Sequence, residues 1–279
     1  MASFRTSSVF RFTKEFESLT KILKTGIIPN YCEEDLSFEG TDFVVGIPMA
    51  SFCDIPIMLL DEHNNRYGNY GIALSKEWAK AKGITPIMYI ANDDVLKSVY
   101  YHYQNNKKVL DWYNREDVKK LTTDTVIKGF PLDDYINILN AKQEHAINTH
   151  IIGYLKQYDG VYQKKPINNY VENEWRYLVP DEGETRWFWS KESYMRWRFP
   201  KGNMDAKKPA PSEALRQYTL TFENEDISYL LIKNDEFKAR VIEYIKDLKT
   251  IGGNIITDDS QKEDLISKII TLDQVKRDF

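Results

Sequence analysis

From Asn92 to Tyr158 apolar residues recur at helical spacing, whereas the stretches on either side are punctuated by short runs rich in β-branched and aromatic residues. Within the middle block Val95, Leu96, Val99, Tyr100 and Tyr103 follow a period near 3.6, and so do Ile136, Leu139, Gln143, Ile147, Ile151, Leu155 and Tyr158. Strands separated in this way must find each other across the helices. The expectation is one α+β domain over residues 1–279, with a mixed sheet split in sequence by a helical insertion at 92–158. A chain of 279 residues with 42% hydrophobic side chains can bury one core of that size.

The flanks supply the strands. Val9-Phe10-Arg11-Phe12 reads as a short strand, followed by a helix with Thr13 as its N-cap, Phe16, Leu19, Ile22 and Leu23 as its apolar stripe, and Gly26 as its terminator. The run from Phe43 to Phe52 reads as a strand broken near Pro48, and Ile57 to His63 as a short helix. Gly71–Leu74 and Pro86–Ile90 are β-type, with a helix at Lys76–Lys82 between them. Strand signals return at Trp175–Val179, Tyr218–Thr221 and Ile227–Ile232, and a helix carrying Phe237, Val241, Ile242, Ile245 and Leu248 follows Asn234.

Several classes are disfavoured. No apolar run reaches the roughly 18–20 residues of a membrane helix, and the polar start MASFRTSSVF lacks the apolar core of a secretory signal, so a cytoplasmic protein is expected. Cys32 and Cys53 form no metal knuckle, and His145 and His150 are five positions apart, off the spacing that shares a helix face; no metal is expected. A net charge of −4 selects no partner by itself.

Ser8-Val9-Phe10-Arg11-Phe12-Thr13-Lys14 with Leu19, Ile22-Leu23 and Gly26 resembles the opening of AbiGi-like abortive-infection proteins of bacteria. Further islands of resemblance are Phe52–Pro56, His63 with Tyr67–Ile72, Ser75–Ala79, Glu174-Trp175-Arg176 and, more weakly, the closing Thr271–Gln274 with Asp278-Phe279. The resemblance implies a phage-defence role, and its antitoxin label implies a partner toxin rather than any chemistry. The opening also resembles, remotely, ADP-ribosyltransferase-like folds, and a fold-level likeness needs its own residue argument.

One subclass of those enzymes is read by an Arg on the first strand, a Ser-x-Ser on a later one and a Glu-x-Glu near the end of the sheet. Arg11, Ser51-Phe52-Cys53 and Glu172-Asn173-Glu174 fall in that order, with Cys53 where the second Ser would stand. Under this resemblance the cofactor is NAD. Glu174 would stabilise the oxocarbenium-like ribose, Glu172 would activate an acceptor on a nucleic acid or protein, and Arg11 and Ser51 would hold the cofactor. The alternative is structural: Glu174 pairs with Arg176 along one strand face, and Arg11 joins a buried ion pair.

Two further segments stand out. Tyr67-Gly68-Asn69-Tyr70-Gly71 could place Tyr67 and Tyr70 against a nicotinamide or a base, or be a turn packed by two rings, with His63 a core or supporting residue nearby. Residues 186–208 hold seven basic residues against two acidic ones, interleaved with rings. Arg186, Trp187, Trp189, Arg196, Trp197 and Arg198 could bind nucleic acid or a protein partner, or the rings could anchor the loop to the core.

Overall fold

The computed structural model describes residues 6–59, 67–114, 132–162 and 165–278. Helices expected at 57–63 and through 115–131 therefore fall partly outside the described residues, as do His63, the side chain of Ile136 and Phe279. Among the described residues the fold is mixed α+β, and no helix is long and apolar enough to cross a membrane.

The main sheet is built from β1 (Ser8–Thr13), β2 (Asn30–Asp35), β3 (Val44–Cys53), β4 (Tyr70–Ser75), β5 (Thr85–Pro86), β10 (Glu174–Leu178), β11 (Ile227–Ile232) and β14 (Ile269–Thr271). Their order is β14-β11-β4-β1-β3-β10-β5, with β2 also on β3; β11 and β14 are parallel and the other neighbours antiparallel. Three small pairs lie beside it: β6 (Met88–Ile90) with β7 (Leu155–Gln157), β8 (Asp159–Tyr162) with β9 (Lys165–Asn168), and β12 (Thr250–Ile251) with β13 (Asn254–Ile255).

The two faces of the sheet are covered differently. Ala50, Phe52, Ile72, Leu74, Leu230 and Ile232 point into the larger core, shared with α1 (Phe16–Thr25), α2 (Lys76–Ala81), α7 (Lys238–Asp247) and α8 (Ser260–Ser267). On the other face Val45, Ile47 and Met49 meet Leu96 and Tyr103 of α3 (Asp93–Tyr113) and Ile152 of α4 (Leu132–Gly153). The helical block thus roofs the β2–β3 end of one face.

Several local expectations change. The first helix starts at Phe16 with Glu15 rather than Thr13 at its N-cap, because the Thr13 hydroxyl donates to the Glu15 carbonyl. Tyr218–Thr221 contributes only the bridge Ile27↔Leu220. The helical block ends at Gly153, and Leu155–Gln157 leaves it to pair with β6.

Strand β3 is not broken at Pro48. The register places Val179 opposite it, and the Val179 N–H donates to the Pro48 carbonyl at 3.0 Å. Proline cannot return the bond, and the Trp187 indole N–H reaches the Val179 carbonyl instead, at 2.9 Å.

Candidate functional site

Strand alternation sends Ser51 and Cys53 of β3, and Glu174 and Arg176 of β10, to the face opposite the large core. Ser51 is paired with Arg176 and Cys53 with Glu174. β3 is held by β2 up to Met49 and by β1 only at Cys53, which leaves a gap in that edge at residues 50–52. Arg11 fills it: its Nη1 donates to the Ser51 carbonyl at 2.8 Å. Beside the gap lies a pocket of about 220 Å³ lined by Arg11, Ser51, Tyr67, Lys156, Glu172 and Glu174 among others.

Five of the six residues expected around the cofactor therefore converge across more than half the chain. Tyr70 does not. It sits on the far face, 7% exposed, with its ring against Phe16 and Phe237, because β4 alternation turns it into the large core. Gly68, just before it, has φ +115°, and a Cβ there would lie 2.1 Å from the Thr13 carbonyl oxygen. Tyr67 is thereby separated from Tyr70 and donates its hydroxyl proton to Glu172.

The pocket floor is a buried ion network. Arg176 donates from Nε to Glu174 at 2.8 Å, from Nη2 to Glu34 and to Glu174, and from Nη1 to the carbonyls of Gly153 and Leu155. Lys156 Nζ donates to Glu172 at 2.9 Å and to Glu174 at 2.8 Å. The Glu174 backbone N–H donates to the Tyr89 hydroxyl at 2.7 Å.

Burial alone would raise the Glu174 carboxyl, but the guanidinium of Arg176 and the ammonium of Lys156 outweigh it and hold the group well below the usual carboxylate range. Burial also disfavours the Lys156 charge, and Glu174, Glu34 and Glu172 reverse that and push it above its ordinary value. Three carboxylates face these two cations, and burial pushes Glu34 up despite its contact with Arg176. Burial, reinforced by Glu172 and Glu174, raises the Cys53 thiol far above its usual range, which disfavours its thiolate.

Chemically, Glu174 is an ionised carboxylate already paired with two cations, which suits an electrostatic post better than a proton acceptor. Among the described residues Arg11 meets no carboxylate in an ion pair, its Nη1 going to the Ser51 carbonyl; the Glu174–Arg176 pair of the structural alternative is present. Sequence reasoning missed Glu34 and Lys156. Glu34 lies in a polar stretch, Asn30–Asp35, with no strand-like alternation, and Lys156 was absorbed into the helical block.

The basic, aromatic segment is anchored by its rings. Trp187 is 5% exposed, Trp189 stacks on Tyr103 with centroids 4.4 Å apart, and Trp197 packs on Tyr31, Phe188 and Tyr194 around α5 (Lys191–Arg198). These faces are spent on packing rather than presented to bases, as their indole donors also require: the Trp189 N–H meets Asp181 at 2.8 Å. Arg186 and Arg196 remain exposed, Arg196 bridging to Glu192, whereas Arg198 lies over Phe199 and donates to the Ala206 carbonyl.

Residues 25–233 match the family described as "Putative abortive phage resistance protein AbiGi, antitoxin". The chain belongs to the AbiGi family. An AbiGi-family relative named "Abortive phage resistance protein AbiGi", from Lactococcus lactis subsp. cremoris, is 25% identical over 255 residues, covering 84% of this chain and 89% of the relative. No solved structure matches this AbiGi-family chain.

Proposed function

We propose that this AbiGi-family chain is a cytoplasmic, non-catalytic antitoxin that docks a toxin through the outer faces of α3 and α4. The observation that carries this reading is a row of apolar side chains on the outside of the helical block. On α4 Leu139, Ile147 and Ile151, and on α3 Tyr101, Val109 and Trp112, are between 39% and 57% exposed. His102 Nε2 lies 3.4 Å from a Glu144 carboxylate oxygen, so the two helices run side by side. Single exposed apolar residues need no explanation, but rows on two adjoining helices mark an interaction site. The family's antitoxin description supplies the occupant: a toxin with a complementary apolar face.

Co-expression with the toxin candidate encoded beside it tests this. Growth rescue and co-purification are expected for the wild type and for Arg196→Glu. Both should be lost in the double variant Leu139→Asp with Ile147→Asp, at unchanged melting temperature. Rescue by the double variant would refute the docking face.

A second reading rests on the cleft. Convergence of Arg11, Ser51, Glu172 and Glu174 favours an ADP-ribosyltransferase-like sheet that takes NAD and modifies a nucleic acid or protein. Against it stand a volume below the roughly 300–1,000 Å³ of ordinary ligand pockets and the cation pairing of Glu174. Label transfer from NAD in cell extract, absent in Glu174→Gln, would establish it.

A further inference from the structure

Between α4 and the turn after β10 lies a second cavity, of about 430 Å³, that neither reading uses. Leu110, Leu178 and Trp187 give it apolar walls, and Lys142 and Arg186 stand exposed at its rim. On the α4 side it meets His145 and Thr149, whose Nδ1 and Oγ1 atoms are buried without a hydrogen-bond partner.

Asn106 Nδ2 on α3 and Asn148 Nδ2 on α4 are likewise unpartnered among the described residues, but His145 and Thr149 are the ones that line the cavity. Thr149 is 8% exposed, and a helical threonine in that setting ordinarily returns its hydroxyl to the carbonyl four residues back. Here it does not. The His145 ring is held by stacking on Tyr103, with centroids 5.1 Å apart and planes 27° from parallel. Burial lowers its pKa, so at neutral pH the ring is uncharged and offers one donor and one acceptor nitrogen. Buried polar groups are almost always paired, so where both line a cavity a partner from outside the chain, water or a ligand, is expected.

The cavity's chemistry narrows the partner. An apolar ligand would leave both groups unpaired, and a simple inorganic anion would leave most of the volume unfilled. Asp181 also lines the cavity, and its carboxylate accepts from the Trp187 backbone N–H and the Trp189 indole, each at 2.8 Å, which fixes its orientation. Glu182 is exposed at the same rim and opposes any anion there, a nucleotide phosphate included, so the cations Lys142 and Arg186 have to offset it. We infer that this cavity binds a mononucleotide, with the base edge hydrogen-bonded to Thr149 and His145 and the phosphate at Lys142 and Arg186. A planar base carries donors and acceptors on one edge and apolar faces on the other two sides, and the volume falls in the range of pockets for ligands of that size.

Calorimetric titration of the full chain with AMP, GMP, CMP and UMP, with the matching nucleosides and with inorganic phosphate, tests the inference. At least one mononucleotide should saturate one site per chain and bind more tightly than its nucleoside. Thr149→Val keeps the side-chain volume and should weaken that nucleotide roughly ten-fold or more. It should also raise the melting temperature of the ligand-free protein, since an unpaired hydroxyl is removed. Arg186→Ala should weaken the nucleotide and leave the nucleoside unchanged. The inference is overturned if none of the four saturates by millimolar concentration, if phosphate binds as well as the nucleotide, or if Thr149→Val stabilises the protein without changing nucleotide affinity. Toxin capture plays no part in the readout, so failure here leaves the docking face standing.

Discussion

Arg176 holds the pocket floor together: it is 1% exposed, and its guanidinium serves Glu174, Glu34 and two backbone carbonyls. Arg176→Met would leave buried Glu34 without its cation and Glu174 with Lys156 alone, and urea unfolding should show a loss of about 3–5 kcal/mol. The Glu174 carboxyl has a depressed pKa in the folded state, so its contribution to stability is complete above the ordinary carboxylate value of about 4.3 and disappears as pH falls through the lower folded value. Melting temperature should therefore fall more steeply below about pH 4 in the wild type than in Glu174→Gln, which cannot take up that proton. At this scale Arg11, Ser51, Glu172 and Glu174 are legible, because Arg11 and Ser51 lie in strand-type runs, Glu172 and Glu174 lie just before one, and their order along the chain matches the resemblance. Glu34 and Lys156 are not, because nothing local in Asn30–Asp35 or around Leu155 announces that a cation on another strand will need them.

Elements show where local pattern and tertiary demand part company. The stripe Leu139, Gln143, Ile147 and Ile151 obeys the helical period, yet it faces outward; the buried side of α4 carries Ile138, Ala141, Asn148, Thr149 and Ile152. Periodicity locates a face but cannot say which of two mixed faces the sheet will take, and α4 has apolar residues on both. β3 shows the reverse case. Pro48 looked like a break, and the ladder runs through it because the indole of Trp187, remote in sequence, takes the carbonyl that proline cannot serve. Trp187→Phe keeps the ring and deletes that donor, so chemical denaturation should register a loss of roughly 1–3 kcal/mol from an unpaired buried carbonyl. Gly68→Ala should be worse tolerated than any glycine replacement at Gly40, where a Cβ meets nothing within 4 Å, and thermal melts of the two variants check this.

At the scale of the whole molecule the sheet is assembled from distant parts of the chain. β1, β3 and β4 are complete by Ser75, whereas β11, which covers the outer edge of β4, begins at Ile227, 152 positions later. Until then β4 offers an open row of backbone donors and acceptors, the template on which strands of other chains pair. A chain ending at Phe222 should accordingly self-associate, and sedimentation velocity would show it; a monomer with native circular dichroism would contradict this. Ribosomes add roughly 5–20 residues per second, so the interval between the two strands lasts on the order of ten to thirty seconds. The sheet therefore closes only when the segment from Ile227 onward has been made, so each molecule of this AbiGi-family chain acquires its native edge only near the end of its own synthesis.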